Sequence, residues 1–400
     1  MRLSYGRDLI AIPGPSIVPD RVLRAMHRPS PNIYGGDLIA LSDTIYRDLA
    51  ALARTTGDPV IYLGNGHAAW EAAVANTLRP GDRALVLATG IFGRGWAEMA
   101  RRLGVEVELL DFGFRATADP ARLAERLAAD REHAIRAVLT VQTDTASSVS
   151  NDIPALRQAI DAAGHPALFL VDCIASLGCE RFEMDAWGAD VTVAACQKGL
   201  MLPPGIAFNV VGPRAWRKRV PCPSLYWDWA PRIEPELFYQ RFAGTPPTHH
   251  LYGLREALDM LAEEGLENTW ARHERLARAI WAAVETWGAP TGAGCDRALA
   301  LNIAEPARRS RAVTTIRTAP GDAIRLRAWC EETAGLTLGI GIAAPDEDGG
   351  SLFRIGHMGH LNPPMVLGAL ATIEAGLSAL GIPHGPGGIA AAAEVIAQEI

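Results

Sequence analysis

Long apolar runs are missing from this chain. None approaches the ~20 residues that a membrane-spanning helix needs, and the opening MRLSYGRDLIAIPGP holds no apolar stretch long enough for a signal peptide. Cysteine is sparse and scattered: Cys173, Cys179, Cys196, Cys222, Cys295 and Cys330 show no CxxC spacing. That argues against a zinc site or a disulfide frame and for reduced thiols in a cytoplasmic protein. Excess positive charge is absent too. With a formal charge of −7 and no extended basic cluster, nucleic acid is not an expected partner. What is present is the composition of a globular protein, 49% apolar and 21% charged. Its 400 residues exceed one ordinary core. The expected division is an N-terminal arm over residues 1–20, a large domain over 21–265 and a small domain over 266–400.

The stretch from Leu168 to Gly205 organises the rest. Ala167 to Val171 and Val191 to Ala195 are apolar runs with the look of buried strands, and they end at Asp172 and at Gln197-Lys198 respectively. In open α/β sheets the crevice lies beyond the carboxyl ends of the strands, so chemistry gathers there. An isolated Asp at a strand end is ordinarily a helix cap, and an isolated Lys a solvated charge. An acid and an amine brought to the same edge are, in contrast, what a pyridoxal phosphate enzyme requires. The lysine binds the cofactor aldehyde, and the carboxylate keeps the pyridine nitrogen protonated so that the ring accepts electrons.

The motifs VDCIASLGC, DAWGAD and CQKGLMLPPG resemble VDxxSSLGG, DxWGxD and SQKxLxxPPG of the fold-type I, class V aminotransferases. The resemblance covers nearly the whole chain and is nearest to the serine–glyoxylate and alanine–glyoxylate enzymes. It implies an α/β fold, with a mostly parallel sheet flanked by helices in the large domain and a small α+β C-terminal domain. It also implies a homodimer with active sites at the subunit interface, pyridoxal 5′-phosphate on Lys198, Gln197 beside it, and Asp172 at the pyridine nitrogen.

Other segments fit around this centre. Val60 to Ala73 reads as a strand, a glycine turn and an alanine-rich helix. The N–H groups of such a turn and the helix dipole suit a phosphate dianion, although many strand–helix turns use glycine without binding anything. The resemblance assigns Asn65, Gly66 and His67 to the phosphate cradle, with the backbone N–H of His67 rather than its ring expected to matter. Phe92 lies in a glycine-flanked turn, Thr89 to Gly95, and takes the place of the ring that stacks on the pyridine. Cysteine desulfurases in the same class usually have His there. Thr145, in the loop 142–152, takes the place of the hydroxyl that bonds the phenolic oxygen. Around it Gln142, Asp144 and Ser148 depart from the family's His, Glu and Gly.

The Ile10–Pro15 segment is an extended arm stopped by proline. It is either a rigid lead-in to a helix near Asp20 or, as the resemblance implies for Gly14, an element laid across the substrate. Thr245 matches the threonine of a loop that reaches the neighbouring subunit's phosphate, whereas Phe242 stands where alanine–glyoxylate enzymes have Tyr, one phosphate donor fewer. FRIGHMG places Arg354 where the family grips the substrate carboxylate, which a planar guanidinium fork suits. From Tyr252 to Trp287 two amphipathic helices are expected, broken near Gly265. The small domain is expected from about Thr291, with strands at Ala312 to Arg317 and Leu352 to Gly356, a helix near Ala323 to Ala334, and a packing tail over 385–400.

The expected activity is transfer of an amino group from serine or alanine to glyoxylate or pyruvate, with small-molecule partners and no metal. A class V enzyme with another donor, such as pyridoxamine–pyruvate transamination, is the alternative. A lyase or desulfurase would need a reactive thiol on a mobile loop, whereas Cys330 falls within an expected helix. A non-catalytic binding module would show no absorbance near the visible edge.

Overall fold

The computed structural model describes residues 3–289, 299–344 and 347–398. Cys295, the expected start of the small domain near Thr291 and the last two residues of the tail lie outside the described residues. In chain order the strands are β1 (Leu9–Ala11), β2 (Asp58–Gly64), β3 (Arg83–Ala88), β4 (Glu106–Asp111), β5 (Ile135–Val141), β6 (Thr143–Asp144) and β7 (Val149–Ser150). They continue as β8 (Leu168–Asp172), β9 (Val191–Ala195), β10 (Gly205–Val211), β11 (Ala300–Leu301), β12 (Val313–Arg317), β13 (Leu336–Ile340) and β14 (Leu352–Gly356).

Seven of them form one sheet in the order β2-β10-β9-β8-β5-β3-β4, in which only β10 runs against its neighbours. β5, β8 and β9 are buried along almost their whole length. Helices cover both faces of such a sheet, so these strands read as near-continuous apolar runs, broken by Arg136 and Thr140 in β5 and Thr192 in β9, instead of alternating ones. Successive residues still point to opposite sides. Leu85, Val138 and Phe169 enter one core, and Val86, Leu139 and Leu170 the other.

A second sheet, β1-β13-β14-β12-β11, has its own core, filled by Leu326, Phe353 and Leu370 together with Ile280 and Trp287. The helices Thr248–Glu264 and Leu266–Gly288 meet at Gly265, whose φ of +83° ends the first helix. Leu251 and Leu254 of the first pack into the core of the large sheet, and Leu276 and Ile280 of the second into that of the small sheet, so the pair spans the two.

Four local expectations change. The arm is not merely extended: Leu9–Ala11 is a strand, paired parallel to β13 at the edge of the second sheet. Thr89 to Gly95 is not a free turn, because the helix Ile91–Arg102 starts within it and puts Phe92 in its first turn. Residues 142–152 are not an open loop but include the small hairpin β6–β7. The tail contains the helix Gly388–Ala397, which packs on Leu266–Gly288. No helix among the described residues is long and apolar enough to cross a membrane, and no group of three or more His, Cys, Asp or Glu among them could hold a metal ion.

Candidate active site

The parallel strands all point their carboxyl ends to one edge of the large sheet, and a pocket of about 230 Å³ opens there. Each wall is the segment that leaves a strand. Asn65, Gly66 and His67 follow β2, Phe92 follows β3, Thr143 and Thr145 follow β5, Asp172 ends β8, and Gln197 and Lys198 follow β9.

Asp172 is 3% exposed. Its Oδ1 accepts the backbone N–H of Ile174 at 2.6 Å and its Oδ2 the indole N–H of Trp70 at 2.6 Å. Burial nevertheless pushes the carboxyl up to about 7, against the pull of these two donors. Lys198 keeps part of its side chain open to the pocket, while its amine is deep enough that lost hydration lowers it to about 8, helped by the nearby Arg354 cation and opposed by Asp172. The amine donates to the carbonyl of Pro13. Ser16 straps the arm down, its N–H bonding the Gln197 carbonyl at 2.9 Å and its hydroxyl the Lys198 carbonyl at 2.7 Å. Gly14 therefore lies against Lys198. It sits at φ +100°, and a Cβ there would overlap the amine.

The helix Gly66–Thr77 begins in the pocket wall. Asn65 caps it, accepting the backbone N–H of His67 at 3.1 Å. The N–H expected to serve a phosphate is thus engaged by Asn65, and the His67 ring lies 4.6 Å from the Trp70 ring. Gly66 is fixed by crowding, since a Cβ would overlap Ile174. The helix carrying Phe92 is capped from outside: buried Asp144 accepts the N–H of Phe92 at 2.9 Å and of Ala146 at 3.0 Å. Burial raises Asp144.

Arg354 stands on β14 behind Thr145. It donates to the Thr145 carbonyl at 2.8 Å and to the Ile340 carbonyl at 2.7 Å, and burial lowers it to about 10. Thr245 is not brought to the pocket of this chain: it is exposed in the turn before Thr248–Glu264. Phe242 is 1% exposed and packs its ring near Tyr46 and Phe238, away from the pocket. Gln142 faces the neighbouring turn, bonding Ser176 and the carbonyl of Arg181. Ser148 keeps the positive φ, +61°, that a glycine would favour there, and its hydroxyl accepts the N–H of Thr315.

The sequence reading missed Trp70. The available signal was its position one helical turn past Gly66, which puts both on one face. The donor set suits pyridoxal phosphate. A buried carboxylate and a buried amine share one pocket with an aromatic ring, and the buried Gln197 Oε1 has no hydrogen-bond partner among the described residues.

Comparison with known proteins agrees with this geometry. The family model "Aminotransferase class-V" matches residues 22–303. The serine–glyoxylate aminotransferase of Methylorubrum extorquens is 37% identical, over 98% of this chain and 97% of its own. The L-aspartate–glyoxylate aminotransferase of Paracoccus denitrificans is 35% identical, over 96% and 95%. The crystal structure of pyridoxamine–pyruvate aminotransferase from Mesorhizobium loti superposes with a TM-score of 0.87 at 29% identity, over 99% of both chains. An amine and an acid at one sheet edge, inside this fold and at these identities, place the chain in the class V aminotransferase family, the pyridoxal phosphate-dependent transaminases of fold type I.

Proposed function

We propose that this transaminase moves an amino group from a small amino acid, serine or alanine, to glyoxylate or pyruvate. The observation that carries the reading is the shared pocket of Lys198 and Asp172 beneath the strap at Gly14. When bound, pyridoxal phosphate supplies the electron sink that stabilises charge at the substrate Cα.

In this reading Lys198 would hold the cofactor aldehyde and, as a free amine, would carry the proton that leaves the substrate Cα. An amine lowered to about 8 has a useful free-base fraction at neutral pH. Asp172 would present its carboxylate to the ring nitrogen. The start of Gly66–Thr77, with Asn65, Gly66 and His67, would receive the phosphate once the Asn65 side chain releases the His67 N–H it now accepts, and Gln197 would lie beside it. Phe92 would cover one ring face, Thr145 would offer its hydroxyl to the phenolic oxygen, and Arg354 would bind the substrate carboxylate with the donors it has not spent on Thr145 and Ile340. Thr245 contributes from a second copy to its neighbour's phosphate. The exposed apolar side chains Leu63, Ile91, Leu225 and Tyr239 support a homodimer, and Ile91 adjoins the pocket residue Phe92. The two sheets support a division into an arm (1–20), a large cofactor domain (21–265) and a small domain (266–400), with β1 of the arm joining the sheet of the small domain. We assign the protein to the cytoplasm on its scattered free thiols, of which Cys173, Cys179, Cys196 and Cys330 are buried.

The test is direct. Protein reconstituted with pyridoxal phosphate is expected to be yellow, to bleach with borohydride, and to lose the colour in Lys198→Ala. Serine, alanine, aspartate and pyridoxamine are then added singly, and the cofactor spectrum is followed before and after glyoxylate or pyruvate. Serine or alanine should convert it fastest. If small amino acids fail while pyridoxamine with pyruvate reacts, the donor assignment is wrong and the Mesorhizobium relative's reaction replaces it.

A further inference from the structure

Trp70 has one polar atom, an N–H that can only donate, and a buried indole N–H ordinarily finds whatever acceptor is at hand. Here it meets the carboxylate of Asp172 at 2.6 Å across 102 residues of sequence. The ring itself is locked. It stacks on Trp96 at 5.8 Å with planes 12° apart, meets Phe92 edge-on at 6.3 Å, and is 1% exposed. The other carboxylate oxygen is held by the backbone of Ile174. Two donors on two different elements, one per oxygen, fix the plane of the carboxylate. Each is as short as a charge-assisted bond.

We propose that Trp70 is a positioning residue for Asp172: its indole N–H fixes the carboxylate plane facing the cofactor ring and favours the charged form against the pull of burial. The inference rests on the transaminase reading above and adds a residue to it. The charged and titratable groups around Asp172 are Asp144 from the hairpin, which disfavours its ionisation, and Lys198 from the turn after β9, which favours it. His67 lies against the Trp70 ring, with burial holding it towards the neutral form. Cys173 next in sequence is fully buried, and its thiol is held neutral. With one nearby cation set against one nearby anion, the two donors carry much of the preference for the charged form.

Trp70→Phe removes the N–H and keeps an aromatic ring in the stack. Losing a hydrogen bond to a charged group should move the acid limb of kcat/KM upward by about one to two pH units. Activity at pH 7 should then fall roughly 10-fold or more, with most of it returning by pH 9. A merely structural role would lower activity equally at every pH, and that result overturns the proposal. A second readout needs neither cofactor nor a folded Trp70 variant. In 15N-labelled cofactor-free protein, the Trp70 indole N–H resonance should move as pH is taken from 5 to 9, and the movement should vanish in Asp172→Asn. An indole resonance indifferent to both pH and Asp172→Asn refutes the contact. If instead the wild type never binds pyridoxal phosphate, the transaminase reading fails while the resonance still reports on the pair.

Discussion

Replacing Asp172 by Asn should make the cofactor-free protein more stable as pH rises, while abolishing transamination. The carboxyl ionises near 3.8 in an unfolded chain and near 7 in the folded one, because burial disfavours its charge. A folded-state value above the unfolded one means that stability is fully present at low pH and is lost as pH climbs through the interval between the two. Each pH decade of that interval is worth about 1.36 kcal/mol. At pH 5 the native state has forgone roughly one decade of ionisation, about 1.5 kcal/mol, and at pH 8 roughly three, about 4 kcal/mol. Asn carries the same shape and no such titration. The stability difference between Asp172→Asn and the parent should therefore grow in favour of the variant by about 3 kcal/mol from pH 5 to pH 8. Groups that titrate alike in both proteins cancel from the difference. Urea unfolding of both proteins without cofactor, at pH 5, 6, 7 and 8, measures it. A difference that stays flat or shrinks over this range would refute the claim that a dry pocket holds this carboxyl well above its ordinary range.

Gly14→Ala should leave the far-ultraviolet circular dichroism spectrum unchanged and lower kcat at least tenfold, since the new methyl overlaps the Lys198 amine at a backbone φ of +100°; full activity in the variant would mean the arm does not cover the site. Arg354→Lys should raise KM for the amino donor more than it lowers kcat, by roughly 10-fold or more, because a single ammonium cannot bond the Thr145 and Ile340 carbonyls and still present a fork. Steady-state kinetics with serine and with alanine check it, and an unchanged KM places the carboxylate elsewhere.

The strands that build the catalytic edge are legible in the chain because each is buried on both sides. β8 is apolar up to Asp172 and β9 is broken only by the buried Thr192, and the polar residue that stops β8 is the one the pocket uses. The break between the two long helices is legible for a similar reason: Gly265 can adopt a backbone that other residues resist. Less was visible where the partner is distant or local signals compete. β1 pairs with β13 across more than three hundred residues, and three residues of arm carry no mark of a parallel neighbour. Phe92 looked like a turn residue because Gly90, Gly93 and Gly95 surround it, yet Asp144, 52 residues away, supplies the cap that lets a helix start there. Gln142 and Ser148, departures from the family pattern, prove to be engaged with neighbouring backbone and side chains and not with the pocket. Trp70 reads as one more core aromatic until its acceptor is seen.

The arm from Leu9 to Ser16 does two jobs at once, closing the rim of the small sheet through β1 and delivering a carbonyl to the Lys198 amine through Pro13. Trimming them would bare the long flank of β13, an open template for aggregation, and would in the same stroke uncover the amine. An affinity tag belongs on the opposite terminus, after the helix Gly388–Ala397, whose packing partners lie outside the pocket wall.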